Sequence, residues 1–248
     1  MPYRKSRTEH SVSELRVDRT DAGQLQLRLD APAVRNALTL ATVRRLHEEL
    51  DRDPHATLLL GSTTPDIFSA GADLSAPDDE RRQISDLLYT CYEQLVTRPG
   101  VVVAVVEGAA VGGGAQLTAA ADVRIASPAA RWRWVGPGHG LAVGTWILPD
   151  LVGRSRALDL TLTGRWLDAE EAAQCGFVAR LDAEPWQRAA DLAAALDQMD
   201  PAALARVKQL TTRPHLLDQL AAERDGNGGW SGRAPTAAQA SKESKHVR

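Results

Sequence analysis

Two glycine-rich segments of this 248-residue chain have the residue types and spacing that could stabilise a negatively charged oxygen on a ligand. The first reads FSAGADL at residues 68–74, and the second reads GAAVGGGAQL at residues 108–117. Each follows an apolar stretch that predicts a buried strand, and the second leads into a predicted helix. Glycines at such a junction allow the backbone to approach a ligand closely, and the first amides of a helix have no intrahelical partner. Because such amides favour anions, the two segments together predict a binding site rather than two ordinary turns.

The elements that must position these segments alternate between strands and helices. Alternating apolar and polar residues at 15–19 and 24–29 predict a β-hairpin, and Thr39 predicts the cap of a helix over residues 40–51. Further strands are predicted at 57–61, 101–106 and 123–126, and further helices at 84–96 and from residue 112. This alternation predicts an α/β fold with right-handed crossovers.

Helical patterns dominate the rest of the chain, at residues 155–163, 169–175, 186–198 and 202–210. We therefore predict a flexible N-terminus at 1–12, an α/β core at 13–185, a helical region at 186–225 and a polar tail at 226–248. The charged run at 78–82 is expected to be mobile and solvated.

Composition excludes several classes of partner. The net charge of −3 indicates no nucleic-acid partner, and no apolar run approaches the ~18 residues of a membrane span. The basic N-terminus is not followed by an apolar signal core, and the only cysteines are Cys91 and Cys175, which we interpret as free thiols. We therefore expect a cytoplasmic protein with no metal site and no membrane partner.

Motifs outside the two segments extend the pattern over about residues 13–225. They are VRNAL at 34–38, ADVRIA at 121–126, LPDLVG at 148–153, LTGRWLDAEEA at 162–172 and CGFV at 175–178. In this order and spacing, the chain resembles the crotonase (enoyl-CoA hydratase/isomerase) superfamily. The resemblance implies a spiral of ββα units with a helical C-terminal region that forms a homotrimer or a dimer of trimers. It also implies an acyl-CoA ligand, so that coenzyme A is part of the substrate and not a permanently bound cofactor.

The resemblance also implies roles for individual residues. The backbone N–H groups of Ala72 and Gly113 would form an oxyanion hole for the thioester oxygen. Arg35 would contact a CoA phosphate, and Lys242 of the tail could reach another. The adenine pocket would be lined by Ala70, Asp73 and Leu74.

The chain departs from the hydratases at both catalytic glutamate positions, which are Gln116 and Gly136 here. Hydration requires a carboxylate that activates water and an acid that protonates the α-carbon, and neither residue can titrate. The chain therefore resembles the branch of hydratase paralogues that lack both glutamates. The Gly136-Pro137 pair is also similar to the dihydroxynaphthoyl-CoA synthases, although Trp134 stands at the position of their bicarbonate-binding glutamine.

Other residues are candidates for chemistry or substrate contact. His139 lies three positions after Gly136 and could act as an acid or base, and Asp79 or Glu80 could supply a relocated acid. The acyl group could be enclosed by Trp132, Trp134 and Trp146.

Three hypotheses for function remain. The first is an acyl-CoA binding protein without ordinary hydratase activity. The second is an acyl-CoA lyase of another type, such as a decarboxylase, a C–C hydrolase or a thioesterase, that uses the same oxyanion hole. The third is a hydratase or isomerase with a relocated acid.

Overall fold

A computed structural model describes residues 14–20 and 22–228. The predictions for the N-terminal segment 1–12, for Lys242 and for residues 229–248 of the tail lie outside the described residues.

The described part of the chain contains strands β1 to β10 and helices α1 to α9. The strands are β1 (Leu15–Arg19), β2 (Leu25–Leu29), β3 (Leu58–Ser62), β4 (Ile67–Ser69), β5 (Val102–Val106), β6 (Ala109–Val111), β7 (Val123–Ala126), β8 (Arg131–Arg133), β9 (Leu167–Asp168) and β10 (Arg180–Leu181). The helices are α1 (Leu40–Arg52), α2 (Asp78–Thr97), α3 (Gly113–Ala119), α4 (Leu148–Val152), α5 (Arg154–Thr163), α6 (Ala169–Gln174), α7 (Pro185–Leu196), α8 (Pro201–Thr211) and α9 (His215–Asn227).

The strands form two sheets. The larger sheet has the order β1-β2-β3-β5-β7-β10, with β1 and β2 antiparallel and the other pairs parallel. The smaller sheet has the order β4-β6-β8-β9, in which only the β8–β9 pair is antiparallel. Every residue of β3 and β5 is buried, as expected for strands in the middle of a sheet that is covered on both faces. The predicted hairpin and the predicted α/β fold are confirmed.

Side-chain caps begin several helices where the sequence predicts them. The Thr39 hydroxyl accepts a hydrogen bond from the Thr42 amide at the start of α1, and Asp168 caps α6 in the same way. At α8, Asp200 accepts from the Ala203 amide, and Pro201 occupies the first helical position.

The prediction that residues 78–82 are mobile is wrong, because α2 begins at Asp78. Acidic residues in the first turn of a helix are favoured by its dipole, and this run supplies three of them. Arg81 is buried, and its guanidinium donates to the carbonyl oxygens of Leu74 and Ala76 at 3.0 Å. The charged run therefore anchors the helix to the first glycine-rich segment.

Among the described residues, none of the helices is both long enough and apolar enough to cross a bilayer.

Candidate functional site

A pocket of about 90 Å³ lies where the two glycine-rich segments meet α2, the loop at residues 135–143 and the end of α9. Its walls are largely apolar, with Leu88, Tyr89 and Tyr92 from α2 and Leu141 and Val143 from the loop. The segments contribute Ala70, Gly71, Ala72, Leu74, Gly112, Gly113 and Gln116. An apolar pocket with a few polar groups is the usual form of a small-molecule site.

Ala72 and Gly113, the residues predicted to supply the oxyanion-hole amides, both border this pocket. Leu38 forms a parallel bridge to Ala72, in which the Leu38 amide donates to Gly71 at 2.8 Å and the Asp73 amide donates to Leu38 at 3.1 Å. The Ala72 amide takes no part in these hydrogen bonds. Gly113 is the first residue of α3, where an amide has no intrahelical acceptor. Within the described residues neither amide has a hydrogen-bond partner, so both can bind an oxygen in the pocket.

Close backbone contact brings the two segments together at this point. Gly71 has φ +93°, and a Cβ atom there would lie 2.9 Å from the Val111 carbonyl oxygen and 3.6 Å from the Gly113 nitrogen. A Cβ atom on Gly114 would lie 2.6 Å from the Ser69 Cβ. Side chains at these positions would force the segments apart, which explains the glycines.

Asn36 ties the first segment to the chain before α1, a role that the sequence analysis missed. The residue is buried with φ +52°. Its side-chain oxygen accepts from the Ala31 amide at 2.7 Å, and its nitrogen donates to the Ser62 hydroxyl at 2.8 Å and to the Ile67 and Phe68 carbonyls. The signal was the asparagine of the VRNAL motif, because asparagine tolerates a positive φ better than most residues.

Gln116, at the position predicted for the first hydratase glutamate, is buried and lines the pocket. Its Oε1 accepts hydrogen bonds from the Trp146 Nε1 at 2.7 Å and from the Gly144 amide at 3.1 Å. The carboxamide is thus held in place, but it does not titrate and cannot serve as a base.

Gly136, at the position predicted for the second hydratase glutamate, also lines the pocket, but its surroundings leave no room for a side chain there. A Cβ atom would lie 2.6 Å from the Leu141 carbonyl oxygen and 2.8 Å from the Val143 Cγ2. The amides of His139 and Leu141 both donate to the Gly136 carbonyl at 2.9 Å, which closes the loop tightly. His139 is 7% exposed and borders the pocket.

The three tryptophans lie behind the pocket and not along it, which corrects the prediction that they enclose the acyl group. Trp132 donates to the Thr118 hydroxyl at 3.1 Å, and its ring meets Phe177 edge-on at 5.3 Å. Trp134 packs against the same phenylalanine at 5.7 Å, and Trp146 stacks on Tyr92 at 6.1 Å. The physical reason is that their large apolar rings are buried fully in the core, so the tyrosines of α2 form the aromatic wall instead.

The residues predicted to bind coenzyme A lie close together at the first segment. Ala70 and Leu74 border the pocket. The Ala70 amide donates to the Arg35 carbonyl at 3.0 Å, which places the exposed Arg35 beside the segment. Asp73 is not part of the pocket wall, and its carboxylate accepts from the Ser75 amide at 2.8 Å and hydroxyl at 2.6 Å.

The predicted alternative acids, Asp79 and Glu80, lie in the first turn of α2 and do not border the pocket. Within the described residues no group of three or more His, Cys, Asp or Glu side chains could hold a metal ion.

Glu223 of α9 is a buried carboxylate behind the pocket that the sequence analysis missed. One oxygen accepts from the Tyr89 hydroxyl at 2.9 Å and the Gly144 amide at 3.1 Å. The other accepts from the Thr145 amide at 2.6 Å, the Thr145 hydroxyl and the Trp146 amide. Burial raises the pKa of Glu223, while the hydrogen bonds from Thr145 and Tyr89 oppose that increase.

The hydrogen bonds of Glu223 join α9 to the loop that holds Gln116. The sequence signal was the helical spacing of this glutamate from the apolar residues Leu216 and Leu220, which puts all three on one face of α9.

Comparisons with known proteins identify the family. The family model for enoyl-CoA hydratase/isomerase matches residues 19–245. The chain is 35% identical over 185 residues to enoyl-CoA isomerase/hydratase claC of Penicillium crustosum, a match that covers 67% of this chain and only 21% of that protein. It is 31% identical over 211 residues to a protein of Arabidopsis thaliana named "Probable enoyl-CoA hydratase 2, mitochondrial", with 78% of this chain and 69% of that protein covered.

A solved structure supports the same conclusion. The enoyl-CoA hydratase/isomerase of Pseudoalteromonas atlantica has a TM-score of 0.79 and 25% identity, with 94% of this chain and 97% of that chain covered. The chain therefore belongs to the enoyl-CoA hydratase/isomerase family, in the crotonase superfamily, and has its fold.

Proposed function

We propose that this protein binds an acyl-CoA thioester in the pocket, with the thioester oxygen held by the amides of Ala72 and Gly113, and does not catalyse ordinary hydration. One observation carries the proposal: two unpaired amides meet at an apolar pocket whose described lining contains no carboxylate. The donors are suited to a carbonyl oxygen or an enolate, because preorganised amides stabilise charge that develops there.

The lack of a carboxylate among the described residues of the pocket wall supports the proposal that the protein does not catalyse ordinary hydration. General acid–base catalysis contributes ~10²–10⁴ in rate per group. Gln116 and Gly136 stand at the positions predicted for the two hydratase glutamates, and neither side chain can transfer a proton. At position 136 the loop geometry also excludes a replacement side chain.

Coenzyme A is proposed as part of the ligand, with its adenine near Ala70, Asp73 and Leu74 and a phosphate near Arg35. The support is that Ala70 and Leu74 border the pocket and that Arg35 is exposed beside them. A cationic guanidinium is well suited to a phosphate.

The assembly is proposed to be a homotrimer or a dimer of trimers formed through the helical region at 186–225. Exposed apolar side chains support this, because Met199, Val207 and Leu210 are 52%, 60% and 79% exposed around α8. A cytoplasmic location and a role in fatty acid metabolism belong to the same proposal.

A second candidate function is an acyl-CoA lyase of another type, and it is favoured by the position of His139 at the pocket. Removal of a general acid or base would lower the rate by ~10²–10⁴. The test compares the wild type with His139→Ala on any acyl-CoA that is consumed. An unchanged rate would exclude His139 from such a mechanism.

The oxyanion site is tested by Gly113→Pro, with Gly113→Ala as the matched control. Proline removes the amide hydrogen, and alanine adds a Cβ atom but keeps that hydrogen. Proline is tolerated at a first helical position, and the added Cβ meets the ends of Leu88 and Leu38 at 3.1 and 3.3 Å.

Calorimetric titration should show that Gly113→Pro weakens butyryl-CoA binding about tenfold, as expected for one lost hydrogen bond, while binding of free CoA changes little. Gly113→Ala should retain the preference for butyryl-CoA over CoA. Equal losses of both ligands in a folded Gly113→Pro protein would contradict the proposal.

A further inference from the structure

The orientation of the Gln116 carboxamide is determined by its neighbours. Two groups contact Oε1: the Trp146 indole N–H and the Gly144 amide. Both can only donate a hydrogen bond. A flipped side chain would set its NH₂ group against two N–H groups, so the oxygen must face them. Nε2 is therefore the side-chain atom that is available to a ligand in the pocket.

The Nε2 donor has no partner among the described residues, although Gln116 is only 4% exposed and borders the pocket. Nε2 is not among the fully buried unpaired atoms of the described residues, so it is accessible from the pocket, where a ligand oxygen can accept its hydrogen bond. The groups that hold the side chain are themselves fixed, because the Trp146 ring stacks on Tyr92 and the Trp146 and Gly144 amides bind Glu223. The donor is thus preorganised.

Gln116 lies on the same side of α3 as Gly113, one helical turn away. If the thioester oxygen is bound at Gly113, the Nε2 donor lies beside the first carbons of the acyl chain. Among the described residues, the pocket wall contains no lysine or arginine that could neutralise a carboxylate on the acyl group. These features favour a neutral oxygen acceptor close to the thioester.

We infer that Gln116 Nε2 binds a carbonyl oxygen on the third carbon of the acyl group, so that the pocket selects 3-oxoacyl thioesters over saturated ones. The inference rests on the proposed function and names its ligand class. A site built around a hydrogen-bond donor discriminates against a ligand that lacks the acceptor, because the donor then stays unpaired.

The test is calorimetric titration of the wild type with acetoacetyl-CoA, butyryl-CoA, malonyl-CoA and free CoA. Acetoacetyl-CoA should bind at least about tenfold more tightly than butyryl-CoA, a difference of about 1.4 kcal/mol. Gln116→Glu retains acceptors for Trp146 and Gly144 but replaces the donor with a carboxylate oxygen. This variant should abolish the preference for acetoacetyl-CoA.

The control is Gln219→Glu, the same chemical change on an exposed part of α9, which should keep the preference. Equal binding of acetoacetyl-CoA and butyryl-CoA, both tighter than CoA, would overturn the inference and leave the proposed function intact. Acyl-CoAs that bind no better than CoA would overturn the proposed function itself. Tighter binding of malonyl-CoA than of acetoacetyl-CoA would overturn the assignment of a neutral ketone.

Discussion

At the scale of single residues, Gly136 combines two effects. The residue has no side chain that could act as an acid, and the loop backbone occupies the space that a side chain would need. Gly138 in the same loop differs, because a Cβ atom there would meet nothing within 4 Å. Substitution of alanine at Gly136 and at Gly138 therefore distinguishes the effect of local crowding from the general effect of replacing a glycine.

We expect Gly136→Ala to lower the free energy of unfolding by roughly 1–3 kcal/mol, as is typical for an overpacked site. Gly138→Ala is the matched control and should change it by less than about 0.5 kcal/mol. Urea denaturation followed by tryptophan fluorescence measures both. If the two variants were equally stable, the loop would not be closed around position 136.

The site could be predicted from the sequence where backbone geometry determines it. The glycine spacing predicted the pocket at Ala72 and Gly113, because few other residues allow such close approach of two segments. The tryptophan wall was predicted wrongly, because the identity of a residue does not reveal which face of the core it packs against. The partners of Gln116 come from distant segments, so no local pattern could indicate them.

At the scale of secondary-structure elements, α9 is joined to the pocket through one carboxylate. Glu223 accepts hydrogen bonds from Tyr89 of α2 and from the amides at residues 144–146. Asn227, one turn later, donates to the Tyr89 hydroxyl at 2.7 Å. The end of α9 therefore supports two walls of the pocket at once.

Glu223→Gln should lower the free energy of unfolding by about 2–4 kcal/mol, because an amide NH₂ group would face backbone donors that the carboxylate now satisfies. Asp225→Asn is the control, since this residue is exposed on the same helix. Chemical denaturation of both variants gives the comparison. A loss for Glu223→Gln no larger than that of the control would show that the buried carboxylate does not hold α9 in place.

The packing of α1 against α2 determines the reactivity of Cys91. This thiol is fully buried, its Sγ lies 3.9 Å from the Val43 carbonyl oxygen, and burial raises its pKa to about 12. Cys175 is half-buried. Because the thiolate is the reactive form, a raised pKa leaves little of it at neutral pH.

Iodoacetamide at about pH 8, near the usual thiol pKa, should modify Cys175 in the native protein while Cys91 stays unmodified. Mass spectrometry of the two peptides provides the measurement, and both should react in denaturant. Comparable labelling of both thiols in the native state would contradict the packing described for α1 and α2.

Helix and strand positions were predictable where a local signal marks them. Thr39, Asp168 and Asp200 cap helices because their side chains replace missing backbone partners. The start of α2 was missed because its first turn is charged throughout, and the contacts of Arg81 that stabilise it involve carbonyls outside the helix.

At the scale of the whole molecule, the proposed assembly is expected to form through the exposed apolar side chains of α8. Val207 and Leu210 lie close together on this helix, and Gln209 between them is exposed as well. Exposed apolar residues that cluster in this way often mark an interface between proteins.

Analytical ultracentrifugation should give three or six times the mass of the chain. The double variant Val207→Glu/Leu210→Glu should shift the distribution to smaller species, because burial of two carboxylates at an interface is unfavourable. Gln209→Glu is the control and should change the distribution less. A monomeric wild type would contradict the proposed assembly.

The fold as a whole was predictable because its motifs extend over most of the chain, and the family model matches residues 19–245. The proposed functional difference from a hydratase depends on two positions, Gln116 and Gly136, within a shared fold. Family membership therefore supports an acyl-thioester ligand, whereas the chemistry must be tested directly.

Incubation of the protein with crotonyl-CoA tests the central claim most directly, with calorimetric binding and product analysis on the same samples. We predict that crotonyl-CoA binds more tightly than free CoA and that 3-hydroxybutyryl-CoA forms at least ~10³-fold more slowly than with a competent hydratase assayed alongside. Hydration within about tenfold of that hydratase, a difference smaller than the ~10²-fold minimum expected from one lost acid–base group, would contradict the account.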